Sequence, residues 1–231
     1  MNKVFLLLLT FLTFVITGCS PRVQVSINSI GNNPHEYQSY ILLSGMKNSN
    51  PDDLQYKEYA GYIHKVLQEK GFKETDFGKA DMVVFLYYGI SDPINEQYSY
   101  SMPVYGQTGV SSSYTTGTLN TFGNMATYSG TTTYTPTYGI VGSQNYSGTR
   151  TNYTRHIILD AVDAKKYKEL QKIQSLWKTT IISTGSSGDL RTIFPILLGA
   201  GKEYIGTNTG KAISVTLSEN DDRVLAVTNK Q

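Results

Sequence analysis

Apolar residues recur along this chain with two periods. Tyr56, Tyr59, Ala60, Ile63, Val66 and Leu67 are three or four positions apart, the spacing that gathers side chains on one helical face. Asn50-Pro51-Asp52-Asp53 precedes them. It predicts a helix start, with Asn as cap, Pro in the first turn and acids at the positive end of the dipole. Gly71 predicts the stop. Leu190, Ile193, Phe194, Leu197, Leu198, Tyr204 and Ile205 form a second stripe after Gly185-Ser186-Ser187-Gly188-Asp189. That run breaks a strand and caps a helix, which Pro195 is expected to kink.

Elsewhere the period is two. Met-Val-Val-Phe-Leu-Tyr-Tyr-Gly-Ile at residues 82–90 reads as a buried central strand. Residues 97–105 alternate Tyr98, Tyr100, Met102 and Val104 with Ser99, Ser101 and Pro103, a half-buried strand with proline near an end or edge. Residues 40–43, 153–162, 176–184 and 213–217 complete the strands, and the polar residues 163–174 read as a turn. Val23, Val25 and Ile27 also alternate, but Pro21, Asn28, Gly31 and Pro34 surround them. Residues 19–38 therefore read as a short strand or as a tether. The order β-α-β-β-β-β-α-β predicts an α+β fold, a two-layer sandwich of a mostly antiparallel sheet with two helices on one face. It forms one domain over 39–231, interrupted by an insertion at 97–149.

That insertion is where composition changes the picture. From Gln97 to Thr149 there is no charged residue, and 36 of the 53 residues are Thr, Tyr, Gly or Ser. Such a segment cannot build a core of its own and reads as part β-hairpin, part loop. Across the whole chain the net charge is +2, which argues against a nucleic-acid partner. A single cysteine excludes an intrachain disulfide and multi-cysteine metal sites.

Candidate chemistry is sparse. His35, His64 and His156 show no zinc spacing, so no metal and no cofactor is expected. Gly185-Ser186-Ser187-Gly188 departs from the nucleophile-elbow pattern. Gly206-Thr207-Asn208-Thr209-Gly210-Lys211 has too few residues between its glycines for a P-loop, and Ala212 stands where magnesium needs a hydroxyl. Asp160 and Asp163 read as turn carboxylates. The expectation is a non-catalytic protein; the alternative class is a hydrolase using Ser187 or Asp160.

The N-terminus carries an address. Lys3, the apolar run from Val4 to Val15 and the small residues Thr17 and Gly18 have the layout of a secretory signal at 1–18. Ile16-Thr17-Gly18-Cys19 resembles the lipobox of bacterial lipoproteins. That resemblance implies cleavage between Gly18 and Cys19, diacylglyceryl on the Cys19 sulfur and a fatty acyl group on its amine. Several acyl chains hold a protein stably on a bilayer. Ser20, in place of Asp, implies the outer membrane by the same resemblance; these residues do not set the orientation, for which the periplasmic side is the expectation ahead of surface exposure. Lys79-Ala80-Asp81-Met82-Val83-Val84, Leu176-Trp177-Lys178-Thr179-Thr180 and the stretch from Ser183 to Leu190 resemble a family of bacterial envelope lipoproteins with a domain of unknown function. The likeness runs from about residue 40 to 225 and implies location and fold but no activity.

Functional content then concentrates in the insertion. Tyr gives rigid contact area, and small polar residues adapt their hydrogen bonds, as in antibody loops. Tyr98, Tyr100, Tyr105, Tyr114, Tyr128, Tyr134, Tyr138 and Tyr146 are the candidate binding residues. The partner is an envelope protein, a second copy of the chain, or a glycan. Two alternatives stand beside this: a solvated low-complexity loop, and strand edges that pair between copies in a secretion or assembly oligomer.

Overall fold

The structure, a computed structural model, describes residues 21–31, 37–47, 50, 52–76, 78–170 and 173–228. The expected signal peptide, the lipobox with Cys19, and His35 lie outside the described residues.

Among the described residues eight strands and four α-helices follow one another: β1 Arg22–Gly31, β2 Ser39–Ser44, α1 Leu54–Glu69, β3 Lys73–Glu74, β4 Met82–Ile90, β5 Ile94–Phe122, β6 Met125–Asp163, α2 Ala164–Leu170, β7 Ser175–Gly185, α3 Leu190–Gly201, β8 Ile213–Ser218 and α4 Asp222–Thr228. The sheet order is β3-β2-β4-β6-β7-β1-β8, and β5 pairs with β6.

This corrects the expected two-layer, mostly antiparallel sandwich with two helices on one face. Strands hold 57% of the described residues and helices 22%, and the sheet is mixed. β2 runs parallel to both β3 and β4. The cause is the link through α1, because a strand-helix-strand crossover returns the chain in the same direction. From β4 onward the pairings are antiparallel. The reading of 19–38 as a tether is also corrected. β1 lies between β7 and β8, with Val25 and Ile27 fully buried. Two short helices, α2 and α4, stand where no helix was expected. Asp163 Oδ1 accepts from Lys166 N at 2.9 Å, and Asp221 Oδ1 from Arg223 N at 3.1 Å, so each helix starts beside an Asp that satisfies a free amide.

The helix ends follow local chemistry. Asp53, not Asn50, caps α1, accepting from Gln55 N and Tyr56 N at 2.8 and 2.9 Å. Asn50 instead accepts from Asp52 N at 2.9 Å, closing the turn before the cap. Gly71, at φ 88°, ends the helix. Phe72 N donates to Leu67 O and Gly71 N to Gln68 O, the two bonds of a Schellman stop. At α3, Asp189 Oδ1 accepts from Arg191 N and Thr192 N.

The described residues divide into two compact units, residues 95–150 and the rest. In the larger unit α1, α3 and α4 pack on one another and bury their apolar stripes with the sheet. Tyr59 stacks on Phe194 at 4.0 Å and 3°, and Tyr88 meets Tyr59 edge-on. Arg155 is buried beside the loop before α3, donating to Tyr153 O, Ser187 O and Ser183 Oγ at 3.1–3.3 Å. It ties that loop to β6 through carbonyl and hydroxyl acceptors.

Candidate functional site: the charge-free hairpin

The smaller unit, Asn95–Arg150, is the outer part of β5 and β6 joined by a tight turn. Thr and Tyr favour extended backbone, and Gly123 and Asn124 link the strands. Gly123 sits at φ 59°, the positive value that the first turn position of a two-residue hairpin requires. At about 3.3 Å per residue each strand extends roughly 85 Å. The expected insertion, 97–149, therefore lies within two residues of the structural unit at each end. It is strand almost throughout, where part had been expected as loop.

No residue from 95 to 150 is buried. Sixteen of the 23 exposed large apolar side chains among the described residues lie here. A two-stranded ribbon with an open face on either side is marginal in water, so local contacts have to supply its order. Thr115 and Thr132 hydroxyls bond across the strands at 2.8 Å, Ser112 to Thr135 at 3.1 Å, and Thr108 to Thr137 at 3.3 Å. Tyrosines lie over glycines. A side chain at Gly117 or Gly130 would strike the Tyr128 ring, and one at Gly148 would strike Tyr98. Such rings cover backbone that glycine leaves bare. Glu96 and Arg150 pair at 3.4 Å at the base of the unit, where exposure makes the pair worth little.

The contacts also sort the tyrosines by face. Tyr100 stacks with Tyr146 at 5.5 Å, and Gly106 lies against Val141. Six positions separate Tyr100 from Gly106 but five separate Val141 from Tyr146. β5 thus carries one extra residue there, a β-bulge. The bulge switches which β5 positions share a face with the even-numbered positions of β6. Tyr98 and Tyr100 before it, and Gly117 after it, lie on the face of Tyr128, Tyr134, Tyr138 and Tyr146. Tyr114 shares the opposite face with Ser112 and Thr135. Tyr105 sits at the bulge. Six of the eight candidate tyrosines therefore form one stripe. Even separations of 6, 4 and 8 residues between the four tyrosines of β6 were a readable signal of that shared face. The β5 bulge had none.

The other candidates do not assemble a reactive centre. Asp160 pairs with Lys178 at 3.6 Å, whereas Asp163 accepts from the Tyr37 hydroxyl at 2.6 Å. Burial pushes the Asp163 carboxyl up, but bonds from the Lys166 amide and Tyr37 outweigh it and hold it below the usual range. Ser187 Oγ accepts from Asp189 N at 3.3 Å, a turn contact. His64 bonds the Tyr40 hydroxyl at 2.9 Å and lies 3.2 Å from Glu74. Burial lowers its affinity for a proton while Glu74 opposes. The His156 ring covers Gly89. Gly206 and Gly210, at φ 72° and 66°, shape a turn before β8, and Thr209 Oγ1 there donates to Ser29 O at 3.2 Å. An open cleft of about 350 Å³ between α1, α3 and α4 holds Glu58, Arg191 and Glu219. Its Glu58 is engaged by Arg191 at 3.0 Å. Among the described residues no three His, Cys, Asp or Glu side chains cluster as metal ligands.

Residues 28–193 match the family described as a domain of unknown function, DUF4136, and the chain belongs to that family. The match includes the whole hairpin. No curated protein matches the sequence. One solved structure similar to the chain is a PDZ domain protein from Parabacteroides distasonis ATCC 8503. It is 10% identical, with a TM-score of 0.38 over 91% of this chain. The chain spans 42% of that protein's length.

Proposed function

We propose that this chain is a non-catalytic envelope protein, held at the outer membrane through lipid on Cys19 and facing the periplasm. In this reading it binds another envelope component through the tyrosine face of its hairpin. The observation that carries the reading is the absence of any buried residue in a unit with sixteen exposed large apolar side chains. Apolar patches of that extent mark interaction surfaces. The lipobox residues 16–19 support the anchor, and among the described residues no helix is long and apolar enough to cross a membrane.

A protein partner fits better than a glycan. Sugar rings dock on open aromatic faces, but Tyr100 stacks with both Tyr98 and Tyr146, at 6.3 and 5.5 Å. Edges and hydroxyls are what this cluster presents, and those suit protein side chains and backbone.

The test is photo-crosslinking in cells from Tyr128, Tyr138 and Tyr114 of the full chain, alongside co-purification of the captured partner with the full chain and with a chain lacking residues 106–148. One abundant adduct from the stripe, whose partner no longer co-purifies with the shortened but folded chain, is the expected result. Unchanged capture by the shortened chain overturns the reading.

A further inference from the structure

We propose that the tyrosine face of the hairpin packs against the same face of a second copy of this chain. The inference rests on the binding reading above and names its partner. Three properties of the ribbon point to self-pairing.

The first is charge. No side chain between Gln97 and Thr149 is ionised at neutral pH. A charged partner would find no counter-charge on this face and would bury its own ions unpaired. A second copy brings no charge and meets none.

The second is area. Two strands about 4.8 Å apart and roughly 85 Å long present a face of about 800 Å². That is the contribution of each partner to an interface of standard size. The six tyrosines are 41–73% exposed, so the area is there to be covered.

The third is symmetry. A two-fold axis across the stripe sets equivalent rows of rings against each other, and the same patch then serves both copies. The product is a four-stranded, two-layer stack with sheets about 10 Å apart, in place of a ribbon bare on both faces. The opposite face, with Ser112, Thr135 and Tyr114, stays in water.

Sedimentation of the full chain in detergent tests this, comparing wild type with Tyr134→Glu/Tyr138→Glu on the stripe and Tyr114→Glu on the other face. The expected result is a dimer for wild type and Tyr114→Glu, and loss of the dimer in the double variant. Tyr134→Ser/Tyr138→Ser, which adds no charge, should weaken the dimer in the same direction. Circular dichroism of all four chains should superimpose, because the substituted residues are exposed. A dimer that survives both stripe variants would place the contact at the strand edges and overturn the proposal. A wild-type monomer overturns it as well. If that monomer still crosslinks to another envelope protein, the binding reading survives; if it captures nothing, both fall.

Discussion

Two stacked aromatic pairs set the regions of this molecule apart. In the sheet unit, Tyr59 lies on Phe194 at 4.0 Å, and both rings are fully buried. In the hairpin, Tyr100 lies on Tyr146 at 5.5 Å, and about half of Tyr100 remains in water. The first pair belongs to a core in which α1, α3 and the sheet exclude solvent, so its burial contributes to the stability of the whole unit. The second belongs to a ladder whose rings stay partly open to solvent. Its stacking orders neighbouring strands, but about half of the surface of those rings is still open to be covered. Similar chemistry therefore serves folding in one place and leaves a surface ready for a partner in the other.

Breaking the core should give the largest effect. Phe194→Ala removes a fully buried ring that touches Tyr59, Tyr62 and Tyr88. It should destabilise the sheet unit by about 3–5 kcal/mol, read as a drop in the denaturation midpoint. A loss under about 1 kcal/mol would mean that the aromatic cluster is not the centre of the core.

A smaller effect is expected at Asp81. Its carboxylate accepts from Ser39 Oγ at 2.6 Å and Ser39 N at 3.0 Å and pairs with Lys165 at 2.8 Å. Burial pushes the carboxyl up, but the bonds from Lys165 and Ser39 outweigh it and hold it well below the usual carboxylate range. An acid depressed in the folded state stabilises that state above its unfolded pKa of about 3.9, and the contribution fades as pH falls towards the folded value. Asp81→Asn should therefore cost about 1–2 kcal/mol at neutral pH. Its deficit against wild type should shrink below pH about 4. A deficit that stays constant through that range would show that the charge is irrelevant.

The smallest effect on stability belongs to the hairpin. Tyr128→Ser uncovers Gly117 and Gly130 but removes no core contact. The unfolding midpoint of the sheet unit should move by no more than the equivalent of about 0.5 kcal/mol. Amide exchange of residues around 117 and 130 should speed up, because that ring shields them. A fall in the midpoint comparable to that of Phe194→Ala would erase the distinction between the two regions.

Much of the fold was legible from local pattern. The stripe from Tyr56 to Leu67, the run from Met82 to Ile90 and the alternation over 153–162 and 176–184 each predicted the element that forms. They did so because period and burial are coupled residue by residue. Charge stops at Glu96 and resumes at Arg150, and the smaller compact unit runs from 95 to 150. Strand direction was not legible. Whether β2 and β4 run parallel depends on how the chain returns through α1, and no residue in either strand records it. The role of β1 was hidden too: Val23, Val25 and Ile27 suit a strand or a tether equally until β7 and β8 stand on either side.

The candidate surface divides in the same way. Composition by itself determined that residues 97–149 are uncharged, tyrosine-rich and without a core, because those are sums over side chains that no fold can alter. Local periodicity marked a strand only over 97–105; the structure extends strand along almost the whole segment. Only the tertiary structure decided that six of the eight tyrosines share one face. That outcome depends on which residue of β5 lies opposite which residue of β6, and one extra residue between Tyr100 and Gly106 reverses it. A strand has a side-chain period of two, so a shift of one position exchanges its faces; pairing between distant residues sets that shift, and local sequence does not.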